Sequence, residues 1–197
     1  MADLVGAVLV GGSSRRMGRD KALLQIDGVR MVDRVAAVLT AAGCSKVVAV
    51  GPSPLAGNLV HIDDLYPGQG PLGGVLTAMR SMGELDSWLC VVACDLPWLD
   101  VASIDALLRA AAAAGASTSS TAGGPNTDDV DVVVARTDRL EPLCALWNPG
   151  CRDAVQQAFD AGQRSLLQVF AGLNVIEVPV DRLALRNVNT PDDMPTS

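Results

Sequence analysis

The chain alternates between unbroken apolar runs and segments whose apolar positions recur at helical spacing. Leu4–Val10, Lys46–Val50, Asn58–Ile62, Trp88–Ala93, Val130–Ala135 and Val175–Val178 read as strands, and Leu143–Trp147 is a further apolar stretch. Between them, Arg30–Ala42, Pro71–Met82, Val101–Ala114 and Pro149–Asp160 carry helical spacing, with a shorter helix expected at Ser165–Ala171. Gly43 closes the first helix, Gly51-Pro52 the second strand, and a Pro-Gly turn precedes the helix that begins at Pro71. Strands that are apolar throughout are buried on both faces, so their alternation with helices predicts an α/β chain with a parallel sheet covered on both sides. Ligands on such sheets collect at the carboxyl ends of strands. The segments after Val10 and after Ala93 are therefore expected to meet at one sheet edge.

Composition narrows this picture. The chain has 197 residues, 49% of them hydrophobic but only 3% aromatic, so the core is expected to be aliphatic and the whole of 1–197 to form one domain. The stretch Ala116–Asp129 is small, polar and aperiodic, and reads as a mobile loop between an N-terminal part (1–115) and a C-terminal part (130–197). No apolar run approaches the ~20 residues of a membrane span, and the chain enters its first strand without a signal-like h-region. A soluble, cytoplasmic protein with no membrane partner is expected. The five cysteines (Cys44, Cys90, Cys94, Cys144 and Cys151) are odd in number and form no Cys-x-x-Cys pair, which points to free buried thiols. His61 is the single histidine and ends an apolar run, which excludes a His-based triad or a His-rich metal site. A net charge of -7 excludes the broad positive face of a nucleic-acid binder, so the ligand should be small.

Chemistry concentrates at Val8-Leu9-Val10-Gly11-Gly12-Ser13-Ser14-Arg15-Arg16-Met17-Gly18-Arg19-Asp20-Lys21. An apolar strand runs there into a glycine-rich loop, where backbone N–H groups can approach an anion and Arg15, Arg16 and Lys21 add positive charge. The spacing matches neither Walker A nor the Rossmann fingerprint. Asp95, directly after the strand Trp88–Ala93 in Cys94-Asp95-Leu96-Pro97, stands where a hard oxygen ligand for magnesium is expected; in isolation it would also serve as a turn carboxylate before Pro97. In Asp64-Leu65-Tyr66-Pro67-Gly68-Gln69-Gly70-Pro71-Leu72-Gly73-Gly74 the glycines would permit close approach of a planar base or ribose, with Asp64 accepting its hydrogen bonds. Asn187 and Asn189, in Asn187-Val188-Asn189-Thr190-Pro191, read on their own as Asx-turn residues, with Thr190 as N-cap of a last helical turn.

The first loop resembles the signature L-x-G-G-x-S-x-R-M-G-x-D-K of nucleotidyltransferases. With the D-x-x-P-G-x-G-P-L segment, C-D-x-P, the Pro142-Leu143-Cys144-Ala145-Leu146-Trp147 strand and N-V-N-T-P in order, the chain from Leu4 to about Asp193 resembles the molybdenum cofactor guanylyltransferases, the MobA-like nucleotidyltransferases. That resemblance implies a Rossmann-like three-layer α/β/α fold with a mainly parallel sheet. It implies GTP, Mg(2+) and molybdopterin as ligands, with GMP joined to the terminal phosphate of molybdopterin and pyrophosphate released. Carried over by motif, Leu9, Gly11, Gly12, Arg16, Lys21 and Asp64 would hold the nucleotide, and Asp95 the magnesium. Lys21 and Arg16 would offset charge at the α-phosphate and pyrophosphate, while Pro142, Leu143, Asn187 and Asn189 would line the molybdopterin side. Direct hand-over of an unstable product implies transient contact with cofactor-biosynthesis proteins or molybdoenzymes.

Two residues depart from the family pattern: Val10 replaces a usual alanine, and Glu141 stands where a neutral or basic residue is usual. Val10 would crowd the base or phosphate, and Glu141 would suit a phosphate-bearing pterin only if it pointed away. The loop before Val130 is also longer than the pattern leads one to expect. The related cytidylyltransferases carry Gly-Leu/Met-Ser-Ser in place of Gly70-Pro71-Leu72. Sugar-phosphate nucleotidylyltransferases are longer and lack the closing N-V-N-T-P, and a non-catalytic nucleotide-binding regulator would have lost Lys21 or Asp95.

Overall fold

The computed structural model describes residues 3–11, 23–51, 59–83, 87–116, 130–188 and 193. Its centre is a seven-stranded sheet: β1 (Leu4–Leu9), β4 (Lys46–Gly51), β5 (Val60–Asp63), β6 (Trp88–Ala93), β7 (Val132–Arg136), β8 (Leu140–Trp147) and β9 (Val175–Pro179). Their order across the sheet is β5-β4-β1-β6-β8-β7-β9. A separate two-stranded hairpin, β2 (Gln25–Ile26) and β3 (Val29–Arg30), leads into the first helix. Each apolar run expected as a strand forms one, with ends shifted by a residue or two. The described part of Asn58–Ile62 becomes Val60–Asp63.

The helices are α1 (Met31–Ala41), α2 (Pro71–Ser81), α3 (Val101–Ala116), α4 (Arg152–Asp160) and α5 (Leu166–Phe170), with a 3-10 turn at Pro149–Cys151 ahead of α4. Side chains alternate across the strands and so divide the core into two layers. Val8 and Val10 join Val32, Val35 and Leu39 of α1 and Ile104 and Leu107 of α3 on one face. Val5, Ala7 and Leu9 join Leu72, Val75 and Leu76 of α2, Val155 and Phe159 of α4, and Phe170 of α5 on the other. The fold is a three-layer α/β/α arrangement.

The sheet is parallel except for β8, which runs antiparallel to both β6 and β7. A three-residue turn, Thr137-Asp138-Arg139, joins β7 to β8, and only an antiparallel partner can follow so short a connection. The reversal brings the start of β8 to the carboxyl ends of the parallel strands. There the β7–β8 register jumps from Val134↔Ala145 to Ala135↔Glu141, a bulge that releases Pro142–Cys144 from β7. Pro142 has no N–H for a ladder, so a bulge suits it.

All five cysteines carry free thiols and are buried. Burial pushes the Cys44, Cys144 and Cys151 thiols up to about 12, with Glu141 and Asp100 adding to the effect at Cys144 and Asp131 at Cys151. Among the described residues no helix is long and apolar enough to cross a membrane. Ala116 ends α3 rather than opening the loop; the remainder of that loop, 117–129, lies outside the described residues.

Candidate active site

A row of backbone hydrogen bonds runs along the carboxyl edge of the sheet. Asp64 N donates to Gly51 O (3.3 Å), Val10 N to Val50 O (2.8 Å), Cys94 N to Leu9 O (3.1 Å) and Val188 N to Asp95 O (3.0 Å). Each bond joins the segment leaving one strand to its neighbour. Together they bring Asp64, Gly11, Asp95 and Asn187 to one edge, although these residues are widely separated in sequence. Pro142 and Leu143, half-buried in the β8 bulge beside β6, complete it. Gly12, Arg15, Arg16, Lys21, Asn189 and Thr190 lie outside the described residues.

The start of the glycine loop is set by packing. A Cβ on Gly51 would fall 1.6 Å from Val10 O, so only glycine lets β4 run this close to the end of β1. Val10 is 3% exposed and its side chain lies in the core with Val8, Val32 and Val35, which is where the bulk added by this departure is housed. Leu9 lies in the other core layer, with Cδ1 3.3 Å from where a Cβ on Gly74 would be. Glu141 accepts hydrogen bonds from Thr137 Oγ1 (2.9 Å) and Arg139 Nε (3.2 Å), so its carboxylate is engaged in the β7–β8 turn.

The Asp64 loop departs from one expectation. Gly73 and Gly74 make room for side chains of the protein itself: a Cβ on Gly73 would meet Tyr66 Cβ at 2.9 Å, and Gly74 receives Leu9. These two glycines seat the first turn of α2 on the sheet and do not open space for a base. Asp64 Oδ1 accepts from Tyr66 N (2.9 Å), an Asx turn, and lies 3.2 Å from the hydroxyl of fully buried Thr77. That hydroxyl also accepts from Leu65 N (3.1 Å) and lies 2.9 Å from Gly73 O. Thr77, which no sequence motif marks, is thus the post to which the loop is tied.

A small core lies beneath the Asp95 end. Ile26 of β2, Met31 of α1 and Val188 form its buried centre, with Leu24 and Trp98 packed against it. Burying each such aliphatic side chain contributes on the order of 1.5–3 kcal/mol, enough to hold three unconnected segments together. Arg34 of α1 reinforces it, donating from Nε to Pro97 O (3.3 Å) and from Nη1 to Ile26 O (3.2 Å). The guanidinium therefore joins the turn after Asp95 to the hairpin that follows the glycine loop. The hairpin, which the sequence analysis does not predict, turns at Asp27-Gly28: both residues have positive φ, 52° and 77°, as the tight turn favoured by Asp-Gly requires.

Asp95 is half-buried directly after β6. The Asp95 carboxylate is a hard oxygen donor of the kind magnesium takes, with the remaining ligands drawn from phosphate and water. The described residues contain no group of three or more His, Cys, Asp or Glu placed to enclose a metal on their own.

The profile of the MobA-like NTP transferase domain matches residues 6–177. The molybdenum cofactor guanylyltransferase of Xanthomonas euvesicatoria pv. vesicatoria is 32% identical over 192 residues, covering 95% of this chain and 90% of that protein. The molybdenum cofactor guanylyltransferase of Desulfosudis oleivorans is 28% identical over 207 residues, covering 98% and 94%. Among solved structures, molybdopterin-guanine dinucleotide biosynthesis protein A from Archaeoglobus fulgidus superposes with a TM-score of 0.70 at 25% identity, covering 96% of this chain and 94% of that one.

Proposed function

Since the chain belongs to the MobA-like NTP transferase family and is a nucleotidyltransferase, we propose that it transfers GMP from GTP to molybdopterin, forming the guanine dinucleotide and releasing pyrophosphate. The observation that carries the reading is the row of backbone bonds that gathers Asp64, Gly11, Asp95 and Asn187 at one sheet edge. Relatives named for guanylyl transfer support the choice of donor and acceptor.

In this reading the cleft has two halves. Leu9, Gly11, Gly12 and Asp64 border the donor, with Lys21 and Arg16 neutralising charge at its phosphates. Pro142, Leu143, Asn187 and Asn189 border the acceptor. The terminal phosphate oxygen of the pterin attacks the α-phosphorus of GTP, the bond to the β-phosphate oxygen breaks, and pyrophosphate leaves with the electron pair. No covalent enzyme intermediate is needed, because alignment and charge stabilisation supply the catalysis. Asp95 would hold Mg(2+), which when bound neutralises phosphate charge. Asn187 is placed beside Asp95 by the Val188–Asp95 bond, so donor and acceptor halves share a fixed boundary. The reaction is assigned to the cytoplasm, with the product handed on through transient contact with cofactor-biosynthesis proteins or molybdoenzymes.

The test is to incubate the protein and magnesium with molybdopterin and each nucleoside triphosphate in turn, and to identify the dinucleotide. Guanine dinucleotide and pyrophosphate are expected; a cytosine dinucleotide would overturn the choice of donor. Asp95→Ala should retain the thermal transition of the wild type but lose transfer by roughly 100-fold or more, as removal of a charge-placing group at a transition state does. Wild-type turnover in that variant would remove Asp95 from the site.

A further inference from the structure

We infer that Gln69 reads the carbonyl edge of the donor base, held in one amide orientation by Arg164. The inference rests on the reading above, in which Asp64, at the head of the loop that carries Gln69, borders the donor nucleotide.

Arg164 Nε donates to Gln69 Oε1 at 2.7 Å. Arg164 is itself fixed: Nη1 donates to Phe159 O and to Gln163 O, both at 2.7 Å, and its guanidinium carbon lies 4.0 Å from the Phe159 ring centroid. Phe159 in turn packs against Tyr66 of the same loop, with ring centroids 4.6 Å apart. The backbone sits equally close. Gly70 has φ 80°, and a Cβ there would lie 3.3 Å from Arg164 O.

A guanidinium has donors and no acceptor, so the amide beside it must turn its oxygen inward. The flipped amide would set N–H against N–H. Gln69, an exposed residue at the carboxyl edge, therefore keeps its carbonyl engaged with Arg164 and has its amide N–H groups left to donate to a base. Guanine offers O6 and N7, both acceptors, on one edge, whereas adenine and cytosine carry an amino group at the corresponding position. A side chain that meets the base with its N–H donors suits the first and opposes the amino group of the other two. Uracil also presents a carbonyl, so the device separates carbonyl-bearing from amino-bearing bases and leaves ring size to the rest of the pocket.

Gln69→Glu isolates the effect. A carboxylate keeps the bond to Arg164, strengthened by charge, but presents acceptors only. Equilibrium binding of GTP, ITP and ATP to the full chain with magnesium reads it without any acceptor present. ITP keeps O6 and N7 and lacks only the 2-amino group, so it shows which edge is read. The wild type is expected to prefer GTP and ITP over ATP. Gln69→Glu should weaken GTP and ITP by about tenfold or more, the scale of one specific hydrogen bond turned repulsive, without weakening ATP. Arg164→Ala frees the amide to flip and should lower the GTP-to-ATP ratio, and Arg164→Lys, which restores one donor, should recover most of it. A Gln69→Glu protein with the wild-type ratio overturns the inference, and so does equal weakening of all three nucleotides with a lowered melting temperature, which would make Gln69 a loop strut. A wild type with no preference for GTP over ATP fails the guanylyl reading itself and takes this inference with it.

Discussion

At the scale of single residues, the proposed donor side depends on side chains outside the proposed contacts. Thr77 has one hydroxyl, and that group meets Leu65 N, Asp64 Oδ1 and Gly73 O inside a fully buried site. Valine has nearly the same shape and none of the hydrogen bonding. Thr77→Val should therefore cost about 1–2 kcal/mol through unpaired groups, not through a cavity. For a domain of this size that is a fall in melting temperature of roughly 2–8 °C. Because Asp64 loses its buried anchor, GTP affinity should fall by several-fold as well, while Thr77→Ser keeps both stability and affinity. Calorimetry and GTP titration of the two variants decide the matter, and identical behaviour of valine and serine would show that the hydroxyl is idle.

Among elements, the decisive contact is the approach of β4 to the end of β1. A Cβ on Gly51 would collide with the backbone oxygen of Val10, and a backbone atom cannot rotate away as a side chain can. Gly51→Ala should accordingly separate β1 from β4 at their carboxyl ends and cost several kcal/mol, toward the upper end of single substitutions. Hydrogen exchange should show protection lost first at the Val10 amide, which donates to Val50 O; undiminished protection there would contradict the account. The sequence carried most of this level. Unbroken apolar runs marked the strands, because strands buried on both faces have no polar positions to spare, and Trp88–Ala93 was legible to the residue. The hairpin Gln25–Arg30 was missed because two-residue strands have no periodicity, although Asp27-Gly28 advertised the turn. The reversal of β8 hid in a run that looks alike in either direction. Placement was legible where a residue follows the end of a strand, as with Asp95. It was illegible where long-range contacts decide the role, as with Thr77, Arg34 and the glycines that admit Tyr66 and Leu9.

For the whole molecule, an aliphatic core with buried thiols sets the response to alkali. Desolvation raises Cys44, Cys144 and Cys151 from 9.0 to about 12, and burial raises Cys90 well above 9.0, with Cys44 and Cys144 adding to it. In the folded chain these thiols stay protonated where the unfolded chain has already released its protons. Above the unfolded value the unfolded state therefore binds fewer protons, and stability falls as pH rises. Below it both states are protonated, so the thiols contribute no pH dependence. Cys44, Cys144 and Cys151 each contribute a slope approaching about 1.4 kcal/mol per pH unit between the unfolded value and about 12. Those three together would exhaust an ordinary folding stability of about 5–15 kcal/mol within roughly one to four pH units, and Cys90 acts in the same direction. Urea denaturation from pH 7 to 10.5 should give a flat profile to about pH 8 and then a steep loss. Cys144→Ala should start from a lower stability at pH 7, because it leaves a small cavity, yet lose less on going to pH 10 than the parent does. A parallel decline in the two proteins would assign the alkaline loss to other groups. The same burial predicts that a thiol reagent at pH 8 labels the native chain only as fast as it unfolds, so labelling and unfolding rates should agree.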